Sequence, residues 1–236
     1  MIEHVYRRAA ACAAAAEVIV ATDDVRIARA VEAFGGAVRL TRASHRSGTE
    51  RLAEVAASLA CDLVVNVQGD EPLLEPAMID EAVRPLLADP SIEMGTLRKR
   101  IDDPADVQNA NVVKVVVDRH DFALYFSRAP IPSGAAGSPD ASGVFRHIGL
   151  YVYRRGFLIE LAALPPTPLE QSERLEQLRA LEHGFRIKAV ETAFASHGVD
   201  TPADLERIRR LLAARSEGGS LARDAVAHPA PTVSEY

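Results

Sequence analysis

The sequence predicts an α/β protein with a mixed central sheet and a smaller, sheet-rich lobe. Three observations carry this. Short apolar runs alternate with amphipathic helical patterns as far as Leu87, an order that predicts parallel strands covered by helices on both faces. Between Met94 and Tyr153 four strand-like stretches follow one another with little helix between them, which reads as hairpins in a mixed sheet. The run Asp62-Leu63-Val64-Val65-Asn66-Val67-Gln68-Gly69-Asp70-Glu71-Pro72 brings a polar cluster to the end of a strand, where open α/β sheets bind ligands.

The elements follow in order. Ile2, Val5, Tyr6 and Ala9 recur at helical spacing. Val18 to Ala21 reads as a short buried strand, and Asp23 is placed to cap a helix from Asp24 to Phe34 that ends at Gly35-Gly36. Val38 to Leu40 is a strand, the loop Thr41 to Gly48 leads into a helix from Thr49 to Leu59, and a strand starts at Leu63. Pro76 to Leu87 is a helix with proline in its first turn, where the missing N–H costs little. Met94 to Ile101, Val112 to Val117, Phe122 to Ser127 and Ile148 to Tyr153 are the strand-like stretches, and Ser133 to Ser142 is a loop. Leu169 to His183 reads as one long amphipathic helix, Ile187 to Val190 as a strand and Thr201 to Arg215 as a last helix. No apolar period continues from Ser216 to Tyr236, which reads as a loose tail.

The chain of 236 residues is 48% hydrophobic and 25% charged, enough to bury a core within one domain of about 1–215. A net charge of −6 argues against a general nucleic-acid binder. Apart from Lys99, Lys114 and Lys188 every cationic side chain is arginine, so anions would be met by guanidinium forks. Cys12 and Cys61 lack zinc-site spacing, which fits a reducing compartment. With no signal segment and no apolar run of membrane-helix length, the sequence reads as a soluble cytoplasmic protein without membrane insertion.

Several segments could carry chemistry. Gly69 allows close backbone approach and Asp70 offers the hard oxygen that Mg²⁺ prefers, though the same residues could form a plain polar turn. In Arg42-Ala43-Ser44-His45-Arg46-Ser47-Gly48-Thr49-Glu50-Arg51, hydroxyls and N–H groups at a helix N-terminus suit an anion or a base edge, or serve simple N-capping by Ser47 or Thr49. No Walker A or GxGxxG pattern occurs. Asp200 could cap the final helix, or meet Asp70 to hold Mg²⁺ against phosphates. Alternation puts His147, Gly149, Tyr151 and Tyr153 on one strand face, and helical spacing puts Glu173, Glu176 and Gln177 on one helix face. Either could equally be solvated.

The stretches IVATDD, SGTERLAEV, VNVQGDEP, NVVKVVVD, ALYFSRAPIP, RHIGLYVYR, PLEQSERLEQLRAL and GVDTPADLERIR, in this order, closely resemble the 3-deoxy-manno-octulosonate (Kdo) cytidylyltransferase family, the CMP-Kdo synthetases. The resemblance implies a Rossmann-like nucleotide-diphospho-sugar transferase fold, working as a homodimer, that joins CTP and Kdo into CMP-Kdo and pyrophosphate for lipopolysaccharide assembly. It implies Asp70 and Asp200 as Mg²⁺ ligands, Arg42, His45, Ser47, Gly48, Arg51 and Gln68 on the cytidine side, and Arg128, His147, Tyr151, Glu176 and Gln177 on the sugar-acid side. A dimerisation and sugar-binding lobe is expected within about residues 94–165. Family members begin with a strand and a basic phosphate loop, and Met1 matches an internal methionine. The chain as read is therefore expected to lack that loop and to bind CTP weakly. After Ile131-Pro132 the family commonly carries a Trp and an Arg that are not found here. Another acidic acceptor (amino-Kdo, a sialic-like acid or a phosphonate) and an inactive dimeric nucleotide-binding fold are the alternatives.

Overall fold

The structure is a computed structural model that describes residues 1–135, 143–195, 198–199 and 201–218. Most of the predicted loop at Ser133 to Ser142 and nearly all of the tail to Tyr236 lie outside the described residues.

Helix α1 (Ile2–Ala9) buries Val5 and Ala9. Strands β1 (Ile19–Thr22) and β2 (Ala37–Leu40) pair in parallel as a two-stranded sheet, joined by α2 (Val25–Ala33). The cap of α2 is Asp24, not Asp23: its carboxylate accepts the Arg26 N–H at 2.8 Å. Gly35, at φ 79°, turns the chain out of α2.

The main sheet has six strands: β3 (Leu63–Asn66), β4 (Met94–Arg100), β5 (Lys114–Val117), β6 (Ala123–Ser127), β7 (Phe145–Arg154) and β8 (Ile187–Glu191). The long strand β7 is its spine. One side of β7 pairs with β4, while the other pairs with β5 near its start and with β3 near its end. All three pairings are antiparallel, and β4–β8 is the parallel pair of this sheet. The parallel arrangement predicted for the first half of the chain thus holds for β1–β2 and fails at β3. Strand–helix alternation reports what each segment is, but direction is fixed by the strand that satisfies its backbone groups, here β7.

Helix α4 (Pro76–Ala88) covers one face, packing Met78, Ile79 and Leu86 with Leu97, Ile148 and Val152. The helix sits so close that a Cβ added at Gly95 would lie 2.8 Å from Leu86 Cδ1. The other face is covered by α3 (Gly48–Ala57) and α6 (Arg155–Ala163), around Met94, Phe126, Tyr153 and Ile187. At the end of β7, Arg154 donates to the carbonyls of Leu86 and Asp89 (2.7 and 3.1 Å), and Arg155 to those of Ala56 and Ala57 (2.7 and 2.9 Å). Two consecutive arginines therefore cap helices on opposite faces of the sheet. Helix α5 (Pro104–Gln108) and α6 have no counterpart among the predicted elements.

The long helix predicted from Leu169 to His183 is two short ones, α7 (Pro168–Glu173) and α8 (Gln177–Glu182). Arg174 breaks them at φ 55°, and the Leu175 N–H closes the turn on the Glu170 carbonyl at 3.2 Å. Glu173 and Glu176 therefore do not share one helix face. Helix α9 (Pro202–Gly218) follows. Among the described residues no helix is long and apolar enough to cross a membrane.

Candidate active site

Strand β3 ends at Asn66, directly opposite Tyr151 of β7, which is opposite Thr96 of β4. This rung, at the end of β3 and within β7 and β4, forms the floor of a polar cluster. The ring of His147 lies 4.9 Å from that of Phe126 and 5.3 Å from that of Tyr151, and Tyr151 stacks on Tyr153 at 5.9 Å. His147, Tyr151 and Tyr153 thus share a face, and Tyr153 is part of the core rather than solvated.

Thr96 fixes the histidine. Its hydroxyl lies 2.9 Å from His147 Nε2, and it also reaches the carbonyls of Ile148 (3.1 Å) and Leu150 (2.8 Å). Carbonyls only accept, so the hydroxyl's one proton goes to them and its lone pair receives the Nε2–H. That assigns the tautomer and leaves Nδ1 as the ring's acceptor. Burial pushes the His147 pKa down to about 3, so the ring is neutral at physiological pH. Burial also raises the phenols of Tyr151 and Tyr153, with Thr49 and Asn66 acting in the opposite sense on Tyr153.

The second wall comes from α3 and α8. Ser47 is the N-cap of α3, its hydroxyl accepting the Glu50 N–H at 3.2 Å. Gly48 opens the helix with nothing within 4 Å of where its Cβ would be. Thr49, 3% exposed, donates its hydroxyl proton to Glu176 Oε2 at 2.8 Å. The other oxygen, Glu176 Oε1, and the amide nitrogen Gln177 Nε2 are both buried without a hydrogen-bond partner among the described residues. Behind them Arg179 grips Glu170 with two bonds, 2.8 and 2.6 Å.

The basic loop is held by carboxylates. Arg42 meets Glu54 at 3.2 Å, His45 hydrogen-bonds the same carboxylate through Nε2, and Arg51 pairs with Asp23 at 3.2 Å. His45 and, less strongly, Arg42 hold Glu54 down at a pKa of about 2. Gln68 lines a small cavity with Glu71, Leu74 and Gly149. Arg128 donates to the carbonyls of Glu173 (2.9 Å) and Ala110 (3.1 Å), while its own backbone N–H bonds the Glu173 carboxylate at 2.9 Å. Lys114, fully buried, supports this corner through the carbonyls of Asn109, Val112 and Arg128 at 2.7–2.9 Å.

Asp70 is partly buried, and its carbonyl accepts the Val199 N–H at 3.0 Å. The segment leading to residue 200 therefore runs beside Asp70, while Asp200 itself lies outside the described residues. No group of three or more His, Cys, Asp or Glu side chains that could hold a metal occurs among the described residues. Asp70 supplies a hard carboxylate four residues beyond the end of β3, a type of donor that suits a divalent cation.

The structure joins Ser47 and Gly48 to Glu176 and Gln177 through Thr49, and His147 to Tyr151 by ring contact. Arg128 stands at the β6 end, two residues beyond the Phe126 that touches His147. Thr96, Asn66, Glu170 and Arg179 carry no functional signal in the sequence, where Thr49 reads only as a cap. The signal for Thr49 is a second hydroxyl two residues beyond Ser47, which itself can cap the helix.

The family model described as Cytidylyltransferase matches residues 1–189, and this is the class of protein that the fold and the site define. Proteins named 3-deoxy-manno-octulosonate cytidylyltransferase are similar along most of the chain. That of Geobacter metallireducens is 57% identical over 88% of this chain and 85% of its own length, and that of Solibacter usitatus 55% identical over 91% and 84%. A solved CMP:2-keto-3-deoxy-manno-octonic acid synthetase complexed with CTP superposes with a TM-score of 0.84 at 43% identity, covering 91% of this chain and 88% of its own. A 4-diphosphocytidyl-2C-methyl-D-erythritol synthase from Anaerococcus prevotii, 14% identical with a TM-score of 0.59, shares the fold alone. The chain belongs to the 3-deoxy-manno-octulosonate cytidylyltransferase family.

Proposed function

We propose that the chain transfers CMP from CTP to the anomeric hydroxyl of Kdo, giving CMP-Kdo and pyrophosphate. The anomeric oxygen attacks the α-phosphorus in line, the bond to the pyrophosphate oxygen breaks, and the hydroxyl proton passes to solvent. The first turn of α3, with Ser47 and Gly48, takes the cytidine side together with Arg42, His45, Arg51 and Gln68. On the acceptor side His147 Nδ1 and Tyr151 meet sugar hydroxyls, and Arg128 turns its remaining N–H groups to the carboxylate. Mg²⁺ held by Asp70 and Asp200 would offset the charge of the triphosphate.

The observation that carries the acceptor half is that Glu176 Oε1 and Gln177 Nε2 are both buried without a hydrogen-bond partner among the described residues, with Glu176 near enough to Tyr151 and Tyr153 to add to burial in raising their phenols. Buried polar groups are rarely left unsatisfied, and a polyhydroxylated acid supplies both a donor and an acceptor. The lobe within about 94–165 is the dimerisation surface in this reading, supported by edge strand β6 with Leu124 62% exposed. In this reading the reaction runs in the cytoplasm. Pyrophosphate release from CTP, measured with Kdo, amino-Kdo, sialic acid and a neutral hexose, tests the reading. Kdo is expected to rank first, and release that ignores the acceptor's carboxylate would contradict it.

A further inference from the structure

Thr49 joins the first turn of α3 to Glu176 at the start of α8, the two elements that form one wall of the polar cluster. Its backbone lies in the first turn of α3, where N–H groups have no partner within the helix. Its side chain turns the other way and donates to Glu176 at 2.8 Å, across 127 positions of sequence. The hydroxyl is not used as the helix cap, because Ser47 already accepts the Glu50 N–H. The residue is 3% exposed, so solvent does not share its proton.

Glu176 has few other constraints. Its second oxygen is buried without a hydrogen-bond partner among the described residues, and the nearest cationic nitrogen, Arg179 Nη2, is 3.8 Å away. That guanidinium is already committed to both oxygens of Glu170. One donor therefore sets how the carboxylate is turned. We propose that Thr49 is a positioning residue for the acceptor, holding Glu176 from the first turn of the cytidine-side helix so that its second oxygen receives a hydroxyl of the sugar acid. Nucleotide and acceptor then take their relative placement from one side chain, and in-line attack depends on that placement. The proposal rests on the reading that α3 faces cytidine and Glu176 faces the acceptor.

The test compares Thr49→Val, which keeps the branched shape and removes the hydroxyl, with Thr49→Ser, which keeps the hydroxyl. KM for Kdo and kcat are measured by pyrophosphate release, and Kd for CTP by calorimetry. A lost hydrogen bond to a charged group predicts a rise of about tenfold or more in the Kdo KM for Thr49→Val, with the CTP Kd within about twofold of wild type. Thr49→Ser is expected to recover most of the loss. An unchanged Kdo KM in Thr49→Val, equal impairment in both variants, or parallel loss of CTP and Kdo binding would overturn the proposal, the last by showing that α3 has merely loosened. Wild-type protein that binds CTP but releases no pyrophosphate with Kdo would overturn the acceptor reading itself, and the proposal with it.

Discussion

The hydroxyl of Thr96 sits 2.9 Å from Nε2 of His147, on a ring whose pKa burial brings down to about 3. The unfolded chain takes up this proton near the usual 6.5, and the folded chain does not until far lower. Between these values the unfolded state binds more protons, so acidification removes stability.

Thermal midpoints measured from pH 7.5 down to pH 5 are therefore expected to fall in the wild type and to fall less steeply in His147→Gln. This window lies above that of Glu54, whose depressed carboxyl loses its contribution only between about 4.5 and 2. Identical slopes for the two proteins would mean that His147 is not held neutral.

Gly48 separates ligand approach from helix stability. A Cβ at this position meets nothing within 4 Å, and alanine is the better helix former. Gly48→Ala is expected to keep or slightly raise the thermal midpoint while weakening CTP binding, read by calorimetry. Undiminished CTP affinity would move the cytidine away from this helix end.

Asp70→Asn leaves the backbone carbonyl that receives Val199 intact and removes the charge. Turnover is expected to drop by about 10²-fold or more, with the Mg²⁺ concentration for half-maximal activity shifted upward and CTP binding less affected. Near-normal turnover at limiting Mg²⁺ would remove Asp70 from the metal site.

The Arg179–Glu170 pair lies largely buried, with side-chain exposures of 5% and 13%. Arg179→Met strands the Glu170 carboxylate and is expected to cost about 3 kcal/mol in chemical denaturation, whereas the double replacement Arg179→Met with Glu170→Gln recovers part of that loss. Additive effects would show that the two side chains act independently.

Elements whose cues are local could be read from the sequence. Helix α4 is marked by Pro76 and a strong apolar period, and β3 by an apolar run stopped before Gly69 and Pro72. Helix α6 escaped because β7 runs straight into it with no turn between them, Gly156 lies inside its first turn, and its N-cap, Arg154, makes no side-chain cap bond. The break at Arg174 escaped because the apolar period runs through it. What breaks the helix is tertiary: Glu173 is drawn to Ser127 and Arg128 of the β6 end, and Glu170 to Arg179. The candidate site divides the same way. Gly48, Asp70 and Tyr151 stand in segments that look functional by themselves, whereas Thr49 and Thr96 gain their significance only from partners brought up by the fold.

Gln177 tests whether the buried polar cluster beyond β3 receives the sugar acid. Its amide nitrogen is buried without a hydrogen-bond partner among the described residues, so Gln177→Leu removes an unsatisfied group at similar volume. The variant is expected to show an equal or higher thermal midpoint, an unchanged CTP Kd and a fall of about tenfold or more in kcat/KM for Kdo. A variant that is destabilised yet uses Kdo as well as the wild type does would contradict it, because Gln177 would then serve the fold and not the acceptor.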